Sequence, residues 1–433
     1  MAIEPESVSL RTYHVGFGDC FLLTFAYPDS GRRHVLIDFG TTQTPETKPD
    51  VLSEIAADIQ QVTNKRLTAV VATHRHKDHI EGFRTTADGD GPGDLIRECE
   101  PDLVIQPWTE DPSIDTDATA PPDHKEFRLS LRDLEDVSRA IQREAKRFAD
   151  PGYTDQLAFL GENNLPNIKA VLNLQKMGKK AEYVFANYPT TLGDLLPGVQ
   201  VSILGPPTTE QSKAIKRQRA RDEEQFWHLW QTRARMAKLG FSVGGVTPTI
   251  ADGDLPLVFP HASHYTPNEN PPQARWFRRK VEDMFGADRL ELVRTLDKVL
   301  NNTSVILLFE VGGKKLLFPG DAQIENWSYA LDDEKVCAKL RDVDLYKVGH
   351  HGSLNATPKS LWQLFGRKRA ENGNSATPMK TVVSTLAGKH GSPEEGTEVP
   401  RTKLICELTE HTDFYSTQAM ESSTDIFHDI RIL

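Results

Sequence analysis

Apolar and polar positions divide the chain into two β-rich ends and a helix-rich middle. Near the start, apolar side chains repeat with helical period over residues 50–62, where Asp50 is the expected N-cap, and a continuous apolar run predicts a buried strand at Leu67–Ala72. Gly, Pro, Asp and Ser bound three further β-rich runs. These predicted strands are Ser7–Val15, Phe21–Phe25 and His34–Phe39.

Residues 101–300 have a different sequence pattern, in which segments with helical periodicity alternate with proline-rich loops. Strand-like Val199–Leu204 interrupts them, so we expect some core strands at about 181–207 inside a mostly helical insertion. We therefore expect one catalytic domain formed by residues 1–100 and 301–433. Predicted helices of the insertion lie near 131–148, 167–177, 209–239 and 273–300, and predicted strands beyond it are 304–309, 315–318, 344–348, 381–385 and 403–408.

Composition narrows the class of protein. The chain has 433 residues, of which 38% are hydrophobic and 26% charged, as in globular proteins with a large core. Membrane-length apolar runs are missing, and the first residues have neither a basic start nor an apolar stretch, so we expect neither a membrane helix nor a secretory signal. Four cysteines without a CxxC pair favour a reducing, cytoplasmic location.

Three histidines and an aspartate occur within six residues of each other, directly after the predicted buried strand. In an extended chain, His74 and His76 point the same way and can bind one cation, while Asp78 and His79 face a second position. Imidazole and carboxylate are ligands that zinc and manganese accept. This spacing therefore predicts metal binding rather than a solvated charged turn.

Further candidate ligands follow other predicted strands. Asp321 follows an apolar strand and is a candidate bridging carboxylate, while His350 and His351 lie between glycines after Asp344–Val348. Ends of parallel strands meet at one sheet edge, so we expect these side chains to converge with the histidine cluster. Asp38, at the end of another strand, is predicted to orient a ligand histidine from behind.

Residues 73–79, Thr-His-Arg-His-Lys-Asp-His, resemble the HxHxDH signature of the metallo-β-lactamase superfamily, and Gly320-Asp321 resembles its bridging-aspartate motif. Segments 15–20, 35–40, 302–305 and 347–353 are similar to the hydrolase domain of ComEC-type DNA-uptake proteins and their soluble relatives. The resemblance covers about residues 7–100 and 300–410. It implies an α/β fold, an αββα metallo-β-lactamase sandwich, with the site where two sheets meet.

This resemblance implies a metal-dependent hydrolase with two divalent ions, Zn or Mn. We expect the metal ligands to be His74, His76, Asp78, His79, Asp321 and His350. Asp78 would hold or deprotonate the nucleophile, His351 or His390 would bind an oxygen of the substrate or protonate the leaving group, and Ser353 would contact substrate. The family's third histidine has no clear counterpart; His261 and His264 are the nearby candidates.

Substrate preference is predicted from the insertion. Residues 209–239 contain eight basic and four acidic side chains, although the whole chain has a net charge of −11. Aromatic residues interleave with the basic ones, which favours nucleic acid or a nucleotide-like substrate bound partly by Lys216, Arg217 and Arg219; a helix with a solvated basic face is the alternative. We thus expect a phosphodiesterase or nuclease. A lactamase- or lactonase-type hydrolase and a non-catalytic metal-binding subunit remain alternatives.

Overall fold

A computed structural model gives the fold of the chain, which divides into two compact units. The first comprises Met1–Thr119, Pro166–Arg217 and Val299–Leu433, and the second comprises Ala120–Leu165 and Gln218–Lys298. The first unit contains every element discussed below. The structure describes residues 3–28, 31–114, 121, 124–125, 127–129, 131–132, 135–136, 167–212, 300–353, 357–369, 377–386, 388–389, 393, 398–421 and 423–433.

Seven strands form the first sheet, in the order β13-β1-β2-β3-β4-β5-β6. Pairing is antiparallel from β13 to β3 and parallel from β3 to β6. The parallel strands therefore present their carboxyl ends at one edge. These strands are β1 (Ser7–Tyr13), β2 (Cys20–Ala26), β3 (Arg32–Phe39), β4 (Ala69–Val71), β5 (Leu103–Pro107), β6 (Lys180–Val184) and β13 (Phe427–Arg431).

Six strands form the second sheet, in the order β12-β11-β10-β9-β8-β7. Here β7, β8 and β9 are antiparallel, and β9 to β12 are parallel. Both sheets therefore combine an antiparallel part with a parallel part. The strands are β7 (Gln200–Gly205), β8 (Ile306–Val311), β9 (Lys314–Phe318), β10 (Leu345–Lys347), β11 (Lys380–Val383) and β12 (Asp413–Ser416).

Helices cover the outer faces of both sheets. On the first sheet, α1, α3 and α4 bury apolar side chains such as Ile55, Ile96 and Leu174 against the strands. On the second, α6 to α9 do the same with side chains such as Trp327 and Leu408. The helices are α1 (Val51–Thr63), α2 (Lys77–Ile80), α3 (Pro92–Arg97), α4 (Ile168–Leu174), α5 (Leu192–Leu195), α6 (Ile324–Leu331), α7 (Glu334–Leu340), α8 (Lys359–Leu364) and α9 (Thr402–His411).

The central core lies between the two sheets. Successive side chains of a strand point to opposite faces, so Leu307 and Phe309 of β8 contact the first sheet's core while Leu308 faces the outer helices. The protein is thus an α/β fold with two mixed sheets and helices. No helix within the described ranges is both long and apolar enough to cross a bilayer.

Most predicted strands occur within two residues of the expected positions, but one prediction is wrong. Residues 403–408, predicted as a strand, belong to α9, because Leu404, Ile405 and Leu408 form one helical face on the second sheet. Asp50 does stand at the N-cap of α1, although its side chain makes no capping hydrogen bond. The edge strands β12 and β13 were not predicted, and neither was the internal strand β5, which falls in the stretch expected to be mostly helical.

The face-to-face core leads to a stability prediction. Replacing the fully buried Leu307 with alanine leaves a cavity between the sheets, and we expect the free energy of unfolding to fall by about 2–5 kcal/mol. The matched control is Leu172→Ala on α4, where the side chain is 46% exposed and the cost is at most about 0.5 kcal/mol. Urea denaturation measures both, and equal losses would contradict a core between the sheets.

Candidate metal centre

Carboxyl ends of strands from both sheets meet at one place. Asp38 lies at the end of β3, the histidine segment follows β4, Asp321 follows β9, and His351 follows β10. The backbone N–H of Val305 donates to the carbonyl of Thr73 (2.9 Å), which joins the two sheets beside these residues. The predicted convergence of three strand ends is therefore present in the fold.

Four buried side chains form a compact donor cluster: Asp78, His79, Asp321 and His351. One ligand atom from each lies within 4.8 Å of the others, a spacing that suits a metal ion. Asp321 Oδ2 is 3.1 Å from His79 Nε2 and 3.8 Å from His351 Nε2, and Asp78 Oδ2 is 2.9 Å from His351 Nε2. Nitrogen and oxygen donors from both sheets thus surround one small volume.

Asp38 orients His79. The carboxylate of Asp38 accepts hydrogen bonds from the backbone N–H of Thr73 (2.7 Å), from Thr73 Oγ1 (2.8 Å) and from His79 Nδ1 (2.8 Å). A carboxylate so held accepts the Nδ1 proton, so His79 presents Nε2 to Asp321. Asp38 therefore stands behind His79, the candidate ligand, in the position predicted from the sequence.

A backbone carbonyl orients His351 in the same manner. Its Nδ1 lies 2.9 Å from the carbonyl oxygen of Ser384, which can only accept, so Nδ1 carries the proton. The Oγ of Ser384 in turn donates to the carbonyl of Gly18. His351 therefore turns Nε2 toward Asp78 and Asp321 with its tautomer fixed.

Two buried atoms of the cluster face each other without a well-formed hydrogen bond. His79 Nε2 and Asp321 Oδ2 lie 3.1 Å apart as an ion pair, and neither has a hydrogen-bond partner of good geometry. Poorly paired buried polar atoms cost up to roughly 1–3 kcal/mol each, whereas a cation between them would satisfy both. The donor set consists of two imidazoles and two carboxylates, and it therefore fits a metal ion.

Electrostatics reflect this crowding of acids and imidazoles. Burial alone would lower the pKa of His79, but Asp321, Asp38 and Asp78 outweigh it and raise that pKa. Burial alone would raise the pKa of Asp321, but His79, His351 and Lys347 hold it well below its usual value. Both carboxylates of the donor cluster, Asp78 and Asp321, are therefore ionised at neutral pH.

His74 and His76 form an adjacent pair, as the two-residue spacing predicts. Their rings are buried, with His74 Nε2 only 3.0 Å from His76 Nδ1, and the ring of His74 lies 4.1 Å from that of His79. Burial lowers the pKa of His74, and the neighbouring imidazoles lower it further. This pair stands beside the donor cluster without belonging to it.

The two adjacent histidines after β10 have different surroundings from those expected. His351, which we predicted to bind substrate, is in the donor cluster, whereas His350, a predicted ligand, is outside it. His350 instead contacts Ser353 Oγ through Nδ1 (2.8 Å), and its backbone N–H donates to Asp321 Oδ1 (2.9 Å). Ser353 thus contacts a histidine here, and its contact with substrate stays a prediction.

Two charged residues that sequence reasoning gave no firm role complete the centre. Lys347 is buried and pairs with the carboxylate of Asp19, and its ammonium lies 3.6 Å from Asp321 Oδ1. Burial would lower the pKa of Lys347, but Asp19 and Asp321 outweigh it and raise that pKa. The available signal was a lysine at the end of an apolar strand, since a buried lysine needs a charged partner.

Arg75, between the two paired histidines, points away from them. Its Nε donates to Oε1 of the buried Glu110 (2.8 Å), and its Nη2 donates to Oε2 of the same carboxylate. Glu110 follows β5, the neighbour of β4. The bidentate pair therefore fixes the histidine segment to the adjacent strand.

Several predicted residues lie outside the described ranges. They are His390, Lys216, Arg217, Arg219, His261 and His264. Comparison with protein-family models gives no match, and no curated protein matches the sequence.

The different positions of the two adjacent histidines give a first test. Both residues have a positive φ, 44° at His350 and 52° at His351, so asparagine is the matched replacement that tolerates this backbone. We expect His351→Asn to weaken binding of Zn²⁺ or Mn²⁺ by more than about tenfold, and His350→Asn to change it little. Titration calorimetry measures both, and the reverse order would contradict the ligand role of His351.

The support from Asp38 gives a second test. Asp38→Asn removes the charged acceptor of the His79 Nδ1 proton, and we expect metal affinity to fall about 10–100-fold while the fold is kept. Asp58→Asn is the control, because Asp58 also accepts from two side chains, Arg11 (2.8 Å) and Tyr13 (2.6 Å), but does so on α1. Equal metal affinities of the two variants would show that Asp38 does not orient a ligand.

Proposed function

We propose that this protein is a metal-dependent hydrolase of the metallo-β-lactamase type, which uses two divalent ions, Zn or Mn, to cleave phosphodiesters in nucleic acid or nucleotide-like molecules. The observation that carries the proposal is the buried donor cluster, with His79 Nε2 and Asp321 Oδ2 facing each other at 3.1 Å without a well-formed hydrogen bond. His74 and His76 beside it supply donors for a second ion.

The layer order supports this type of fold. Helices cover the outer face of each sheet, and the two sheets share the central core, which agrees with the αββα sandwich implied by the sequence motifs. Location of the donors at the strand ends where both sheets meet agrees with it as well. The preference for phosphodiesters, and a cytoplasmic location, rest on the sequence alone.

Each residue of the centre has a distinct part in the proposed reaction. Bound divalent ions would lower the pKa of water at the site and offset the charge that builds on the attacked phosphorus. Asp78 Oδ2 accepts the proton of the nucleophile, and His351 Nε2, 2.9 Å from that oxygen, is the candidate metal donor beside it. Asp38 and the carbonyl of Ser384 prevent the two imidazoles from rotating.

A substrate panel tests the proposal. Purified protein with Mn²⁺ or Zn²⁺ is incubated with bis-p-nitrophenyl phosphate, labelled single-stranded DNA, RNA, nitrocefin and a lactone. We expect metal-dependent hydrolysis of the phosphodiesters. The rate should fall by roughly a hundredfold or more in Asp321→Asn, because this variant removes a negatively charged donor from the cluster. Asp58→Asn is the control and is expected to keep full activity.

Other outcomes separate the alternatives. Turnover of nitrocefin or the lactone without phosphodiester cleavage would replace the proposal with a carbonyl-directed hydrolase. Nucleic-acid binding by a protein that turns over none of these compounds would replace it with a non-catalytic subunit.

A further inference from the structure

Lys347 occupies an unusual environment for a lysine. Its side chain is 2% exposed, and it is the one lysine buried to this degree in the parts of the chain that the structure describes. Taking an ammonium out of water is costly unless charged partners and hydrogen bonds surround it. The reason for its position must therefore lie in the groups that it contacts.

Three acceptors surround the ammonium. It forms an ion pair with Asp19 Oδ2, donates to the carbonyl oxygen of Gly320 (3.3 Å), and lies 3.6 Å from Asp321 Oδ1. Gly320 immediately precedes Asp321, so the ammonium contacts both the backbone and the side chain at this turn. Lys347 thereby joins the end of β10 to the turn after β9.

The two oxygens of Asp321 are thus in different surroundings. Oδ1 accepts from the backbone N–H of His350 (2.9 Å) and faces Lys347, whereas Oδ2 faces His79 and His351. Because His350 and Lys347 hold Oδ1, Oδ2 is the oxygen left to bind a metal ion in the donor cluster. A carboxylate without this support could rotate and offer either oxygen.

The same ammonium determines the role of Asp19. Asp19, Asp38 and His79 also bring donor atoms within 4.8 Å of one another, which would suit a cation. However, Lys347 already supplies a positive charge to Asp19, and Asp38 is filled by hydrogen bonds from Thr73 and His79. This second group has its cation built into the chain.

We propose that Lys347 is a positioning residue, a built-in cation that neutralises Asp19 and fixes Asp321 so that only Oδ2 faces the metal. The inference rests on the proposed function, because it assumes a metal in the donor cluster. Asp19 is accordingly a partner of Lys347 and not a metal ligand.

A charge-neutral double replacement tests the positioning role. Lys347→Met with Asp19→Asn removes both members of the buried pair, so the fold is kept while Asp321 loses its support. We expect Zn²⁺ and Mn²⁺ affinity to fall about 10–100-fold, as measured by equilibrium dialysis with circular dichroism as the folding check. The control is Lys339→Met with Glu310→Gln, which removes an ion pair between α7 and β8 (2.6 Å) and should leave affinity unchanged.

Asp19→Asn alone gives a second measurement that does not depend on the stability of the double variant. We expect it to bind as many metal ions per chain as the wild type, whereas loss of an ion would make Asp19 a ligand and overturn the inference. Wild-type affinity in the folded double variant would also overturn it while leaving the proposed function intact. A wild-type protein that binds neither metal would refute the proposed function and the inference together.

Discussion

Crowding of buried negative charge is the constraint on which the rest of this structure depends. Asp19, Asp38, Asp78 and Asp321 all lie in one region at the strand ends, where mutual repulsion is weakly screened. Hydrogen bonds from Thr73 and one ammonium from Lys347 offset part of this charge. The remainder is offset by the imidazoles and could be offset further by a cation in the donor cluster.

The architecture satisfies this constraint by dividing the charged groups between two sheets. Each sheet has an antiparallel part, which needs only short turns, and a parallel part, whose carboxyl ends carry the donors. Because the apolar inner faces share one core, the two sets of strand ends are held at a fixed separation. Close approach at Gly320 allows this: its φ is 56°, and a Cβ there would lie 2.7 Å from Thr73 Oγ1. A side chain at this turn would therefore push the sheets apart at the centre.

Sequence patterns predicted the local structure correctly where a hydrophobic period or a residue spacing is compatible with one conformation only. The buried strand before Thr73 and the histidine pair two residues apart were predicted correctly, because alternation along an extended chain fixes their direction. The segment 403–408 was predicted wrongly, since a short apolar run of Leu404, Ile405 and Leu408 suits a strand or a helix equally. Only its packing against the second sheet decides between them.

The order of His350 and His351 could not be read from the sequence for a different reason. Both residues have a left-handed backbone, so the alternation that works for an extended chain does not apply. The carbonyl of Ser384, distant in sequence, holds the ring of His351, and the hydroxyl of the nearby Ser353 holds that of His350; these two contacts determine which ring enters the centre. The role of Lys347 could not be predicted for the same reason. Its partner Asp19 lies beside the first sheet, more than three hundred residues earlier in the sequence.

The same dependence on distant partners explains why the residue between the paired histidines is an arginine. His74 and His76 lie beyond the end of β4, where the sheet no longer determines the course of the backbone. Arg75 points the opposite way, and its planar guanidinium reaches both oxygens of Glu110 behind the adjacent strand. A lysine there could offer the charge without the two parallel hydrogen bonds. Order in the centre is therefore imposed in part by groups outside the donor cluster.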